Sequence, residues 1–193
     1  MKSSQPYSIH VIGDKILRTP AAPIVEITDE IRNMAQRMIA TMFAFNGIGL
    51  AAPQVGISLR LVTLGVPARG NGNTPGEAAL LAQMPLVLIN PRIISHCEET
   101  AMHEEGCLSV PNIYGHVERP SVVLLEALKL DGSRLVMECG GLTACCIQHE
   151  IDHLNGVLFV KKVIPDEQYE IRRKADKLEQ RYSAMNNHIR INP

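Results

Sequence analysis

The chain contains no tryptophan, and aromatic residues make up only 4% of its 193 positions. Aliphatic side chains and eight methionines must therefore fill the interior. Charge of one sign is also missing: 19 Lys and Arg meet 20 Asp and Glu, a formal net charge of −1. That balance argues against a DNA-binding surface or a membrane-surface helix. No segment reaches the roughly 18 apolar residues of a membrane span. The five cysteines are odd in number and form no CxxC pair, which is a poor disulfide framework and points to a reducing compartment. The first twenty residues lack the apolar core of a secretory signal and the Arg-rich character of a transit peptide, so a cytoplasmic location is expected.

What is present is globular. Hydrophobic residues are 46% and charged residues 20%. A chain of this length buries roughly 70% of its unfolded surface, enough for one domain spanning residues 1–193. Thr28 caps a predicted helix that runs to Phe43, with Ile31, Met34, Met38, Ile39 and Met42 on one stripe. Gly and Pro break the pattern at 47–56, which reads as a structured loop. Strands are predicted at 59–64, 86–89, 93–97, 122–130 and 134–139, with Asp131-Gly132 joining the last two. A helix is predicted over 142–154, a short strand over 157–160, and a last helix from Pro165 to about residue 185. That helix carries Ile171, Ala175, Leu178, Tyr182 and Met185 on one face. Residues 65–85 read as an exposed excursion that could rim a cleft. The pattern gives an α+β fold, antiparallel sheets packed around a central helix.

The strongest local signal is His149-Glu150-Ile151-Asp152-His153. On a helix, residues four apart share a face, so both imidazoles can grip one metal ion while Glu150 reaches a water bound there. A third ligand is needed. The pattern that places another histidine six residues on fails, because Phe159 stands there. Glu167 or Glu170 could serve from the following helix, but that face reads as solvated. Cys107 is the upstream candidate, since a thiolate suits zinc or ferrous iron. Its alternative is a small buried hydrophobe, the reading for Cys97, Cys139, Cys145 and Cys146. Gly47-Ile48-Gly49-Leu50-Ala51-Ala52 imitates a dinucleotide fingerprint but follows a helix rather than a strand.

Three motifs in order, GIGLAAPQVG at 47–56, EEGCLSVP at 104–111 and QHEIDHLNGVLF at 148–159, resemble the peptide deformylases. The resemblance extends over about residues 9–163. It implies an antiparallel α+β fold around the HExxH helix and removal of the formyl group from N-formylmethionyl peptides, with release of formate. It implies Cys107, His149 and His153 as metal ligands, with Fe²⁺ the working ion and Zn²⁺, Ni²⁺ or Co²⁺ able to replace it. Glu150 would move the proton, and Gln54 and the Leu108 backbone N–H would face the oxyanion. Ile48, Gly49 and Gly106 would line the peptide cleft. Cys145 departs from the family, which often has a longer side chain there. The C-terminal segment 161–193 carries eight Lys and Arg against five Asp and Glu. That charge reads as a solvated helix face; the alternative is docking on the ribosome, as some family members do. The rival activity is that of an HExxH metallopeptidase.

Overall fold

A computed structural model describes residues 5–68, 75–183 and 190–191. A five-stranded antiparallel sheet has the order β2-β3-β4-β7-β8, formed by Gly49–Ala51, Leu61–Leu64, Leu86–His96, Val122–Leu128 and Arg134–Gly140. Two further strands, β5 (Thr100–Cys107) and β6 (Val110–Pro120), form a separate antiparallel pair. β1 (Ile9–His10) pairs with β9 (Arg190–Ile191), joining the two ends of the described chain.

Strand alternation explains how helices cover both faces of the large sheet. Leu61, Val87 and Ile89 point to α1 (Asp29–Ala44), where they pack with Ile31, Ala35, Met38 and Met42. Val62, Leu64 and Leu88 point the other way, to Ala144, Ile147, Ile151 and Leu154 of α3 (Gly141–Leu154). Each such aliphatic side chain contributes roughly 1.5–3 kcal/mol by leaving water. α3 is thus the central helix that the fold class requires. The C-terminal helix α4 (Pro165–Ser183) lays Ile171 and Ala175 on Val110, Val117 and Phe159 of a third cluster. The predicted Met185 lies outside the described residues.

Thr28 caps α1 by accepting from Ile31 N, as its position predicts. Asn155-Gly156 ends α3, with Gly156 at φ +72° and the Arg18 backbone only 2.6 Å from where a Cβ would stand. The hairpin between β7 and β8 turns at Gly132 (φ +83°), where Asp131 Oδ1 accepts from Ser133 N.

Several expectations are corrected. The 47–56 loop contains β2 and a 3-10 turn, Ala52–Val55. The strands predicted at 86–89 and 93–97 are one strand, because Asn90 (φ +50°) bridges the break by bonding Ile24 N and O. Residues 157–160 are not a strand: Phe159–Lys161 is a 3-10 turn. β5 and β6 were not foreseen. The excursion contains a helix, α2 (Pro75–Leu81), docked on β8, and none of its described residues lines the cleft. Residues 69–74 of it lie outside the described residues.

Candidate metal centre

Both histidines of the HExxH sequence project from the same side of α3, with ring centroids 5.0 Å apart. β5 approaches from the opposite side and brings Cys107. The donor atoms of Cys107, His149 and His153 all lie within 4.8 Å of one another, and among the described residues no other trio of His, Cys, Asp or Glu does so. Cys107 Sγ is 3.1 Å from His153 Nε2. Three ligands around one tetrahedral ion at 2.0–2.3 Å stand roughly 3.3–3.8 Å apart, so this cradle fits one ion with little movement. One sulfur and two nitrogens suit zinc or ferrous iron rather than magnesium or calcium.

The electrostatics also fit. Burial disfavours charge on His149, but the Cys107 sulfur and the Glu105 carboxylate outweigh it and raise its pKa, so positive charge is favoured at this ring, where a bound ion would displace the proton. Burial keeps His153 neutral, as a ligand must be. Burial pushes Glu150 up to about 7. Its Oε2 and His153 Nδ1 are buried without a hydrogen-bond partner among the described residues. A carboxyl poised near neutrality, unpartnered and beside the cradle, can take up and return a proton.

A cavity of about 600 Å³ opens over these groups. β2, an edge strand of the large sheet, brings Gly49 to it, with Ile48 immediately before the strand, and β5 brings Gly106 from across the opening. Gln54 and Leu108 also line it. Gln54 is held at both ends: Oε1 accepts from Ala51 N at 2.8 Å, and Nε2 reaches Ser109 Oγ at 3.3 Å and Cys107 Sγ at 3.5 Å. All nine residues singled out in the sequence therefore stand at this cavity or in the cradle beneath it.

Some neighbours were not foreseen. Glu105 Oε2 accepts from His149 Nδ1 at 2.8 Å, which turns Nε2 toward the cradle. Strand alternation could have revealed this, since Glu105 and Cys107 share a face of β5. Arg119 forks onto both Glu105 oxygens. Cys145 is buried as expected, but its Sγ also lies 3.4 Å from Glu105 Oε1, a contact an aliphatic side chain could not make. Cys139 and Cys146 are buried, whereas Cys97 is half-buried and bonded to Ser121. Glu167 is no ligand: it accepts from His116 N and Nδ1 instead.

Residues 6–169 match the family model described as polypeptide deformylase. The chain is 47% identical to peptide deformylase 2 of Gloeobacter violaceus, covering 82% of this chain and 79% of that protein. It is 45% identical to the peptide deformylase of Acinetobacter baumannii, covering 86% and 87%. Among solved structures, the Synechococcus elongatus peptide deformylase in complex with actinonin aligns with TM-score 0.77 at 40% identity, covering 91% of this chain and 89% of that one. A plant peptide deformylase aligns over all of both chains, with TM-score 0.81 at 30% identity.

Proposed function

The chain belongs to the peptide deformylase family, and on that footing we propose that Cys107, His149 and His153 hold its metal and that Glu150 moves the proton of the reaction. It is a metal-dependent hydrolase that removes the N-formyl group from new peptides. The observation that carries the site assignment is the convergence of those three donor atoms beside the unpartnered Glu150 oxygen. Fe²⁺ is the working ion in this reading, with Zn²⁺, Ni²⁺ or Co²⁺ as substitutes.

A divalent ion in the cradle supplies Lewis acidity, lowering the pKa of a water and polarising the formyl oxygen. Glu150 accepts the proton of the attacking water, then delivers it to the amine nitrogen as the C–N bond breaks, leaving formate and a free amino terminus. The Gln54 Nε2 amide, oriented through its own Oε1, and the Leu108 backbone N–H face the developing oxyanion. An extended substrate chain lies between β2 and β5, against Ile48, Gly49 and Gly106, completing both strand edges.

Residues 1–193 act as one catalytic domain in the cytoplasm. Among the described residues no helix is long and apolar enough to cross a membrane. α4 presents Arg172, Arg173, Lys174, Lys177 and Arg181 along its length, and a ribosomal surface is the partner that such a helix could meet. The deciding assay is anaerobic formate release from formyl-Met peptides, with metal content measured on the same sample. Cleavage of an internal peptide bond without formate release would favour the HExxH metallopeptidase instead.

A further inference from the structure

Behind the cradle, a line of alternating charges runs through the interior. Lys162 Nζ donates to Asp152 Oδ1 at 2.7 Å, and Arg119 Nη1 donates to Asp152 Oδ2 at 2.9 Å. Arg119 also grips Glu105, with Nη2 2.9 Å from Oε2 and Nε on Oε1. Glu105 Oε2 in turn accepts from His149 Nδ1. The Arg119 side chain is only 3% exposed and that of Glu105 4%. Burying such pairs adds little net stability, because desolvation offsets the attraction, so stability alone does not account for the line.

What the line does have is an address. Both Glu105 oxygens are fully used: Oε1 by Arg119 and Cys145, Oε2 by Arg119 and His149. The carboxylate therefore has one orientation, and it holds one edge of the His149 ring. Asp152 lies on α3 between the two histidines, so Arg119 clamps both the ring and the helix turn that carries it. The outer end is tied in as well. Lys162 follows the 3-10 turn Phe159–Lys161, and Phe159 stacks on His149 with centroids 6.1 Å apart.

We propose that Arg119 is a positioning residue of the reaction centre, holding His149 through Glu105 and α3 through Asp152, with Lys162 bracing the same line from the C-terminal side. This rests on the reading of Cys107, His149 and His153 as the metal cradle. The guanidinium is suited to the task because its planar fork meets two carboxylates in fixed directions, which an ammonium cannot do.

The test uses Co²⁺ as probe, with affinity read by chelator competition on the full chain and folding checked by circular dichroism and melting of the metal-free protein. Arg119→Lys should weaken Co²⁺ binding by about 10–100-fold, the range for residues that orient metal ligands. Lys162→Met, one link further out and 42% exposed, should fall near the tenfold end, and Lys162→Arg should restore affinity. Should Arg119→Lys not fold, the Lys162 pair decides. A merely structural brace would lower the melting temperature and leave the Co²⁺ constant of the folded protein unchanged. Wild-type Co²⁺ affinity in the folded variants, with binding lost in Cys107→Ser, would overturn the proposal and leave the cradle standing. Wild-type affinity in Cys107→Ser as well would mean that the cradle itself is misassigned, and the proposal would fall with it.

Discussion

Gly49 and Glu150 share one small space: an ideal Cβ on Gly49 would stand 2.4 Å from Glu150 Oε1 and 2.7 Å from Cys146 Sγ. Something must move if Gly49 becomes alanine. β2 cannot easily retreat, because its own Leu50 and Ala51 are fully buried. The Glu150 carboxylate is the free end, so it should be displaced from the cradle. Gly49→Ala is expected to lower turnover by about 10²-fold, the lower range for losing an acid–base group, while all three metal ligands remain. Steady-state kinetics with metal analysis checks this, and an unchanged kcat would mean that Glu150 does not work from its observed position.

Cys107 supplies the one sulfur of the cradle. Cys107→Ser should weaken or exchange the metal, because a hydroxyl is a far poorer anionic ligand than a thiolate. Cys139→Ser should leave metal content unchanged: that thiol faces the core, and burial pushes its pKa up to about 12. Elemental analysis of both proteins after dialysis separates the two cases. Stoichiometric metal and full activity in Cys107→Ser would sink the ligand assignment.

An Fe²⁺-loaded sample should lose activity in air, while Ni²⁺- or Zn²⁺-loaded samples should not. Ferrous iron beside a thiolate at an open cleft is readily oxidised, whereas the other two ions are not redox-active there. The comparison is the half-life of formate release in air and under nitrogen for each metal. Equal half-lives for the iron form would argue against iron as the working ion.

The Glu105 carboxyl should make the metal-free protein acid-labile. Burial alone would raise its pKa, but hydrogen bonds from Arg119 and His149 and their charges outweigh that and hold it at about 2, against an ordinary 4.5. Its folded pKa lies below its unfolded one, so its stabilisation is complete above pH ~4.5 and is lost as pH falls through about 2. A displacement of this size corresponds to on the order of 3 kcal/mol between the ionised and the protonated carboxyl, a difference separate from the small net gain of burying the pair. Urea unfolding of the metal-free protein across that window should show the decline, and Glu105→Gln should flatten it. An equal slope in the variant would place the acid lability elsewhere.

How much of this was legible in the sequence depends on the range over which each feature is set. α1 is local: one Thr cap and a 3.6-residue stripe define it, and the structure follows both. The HExxH pair is local too, since helix geometry alone puts His149 and His153 on one face. Residues 157–160 misled because a short apolar run fits a strand or any fully buried turn, and Leu158 and Phe159 are buried. β5 was hidden because its exposure alternates while its hydrophobicity does not: the apolar Met102 stands on the exposed face, and the polar His103 and Glu105 stand on the inner one. Arg119 was invisible for a different reason. Its partners stand 14 and 33 residues away, and nothing in the surrounding sequence marks an arginine that will be buried between two acids.

Glu150 is the residue on which the proposed chemistry turns. Its neighbours on α3 are a ligand on one side and buried aliphatic packing on the other, and its Oε2 has no partner among the described residues. A group held this way does not support the fold through hydrogen bonds at that oxygen. Burial sets its pKa near 7, where a carboxyl can accept a proton from water and return it to an amine. Glu150→Gln keeps the size and can still hydrogen-bond, but it cannot accept a proton. Deformylation should therefore slow by about 10²–10⁴-fold, or about 3–5 kcal/mol in the barrier. KM should change little, because Gln54, Leu108, Gly49 and Gly106 are untouched. Metal content and melting temperature should also persist, since Cys107, His149 and His153 remain. Turnover and metal analysis beside the wild type distinguish the possibilities: near-normal turnover would remove Glu150 as the proton carrier, and loss of the metal would recast it as a ligand or a support for one.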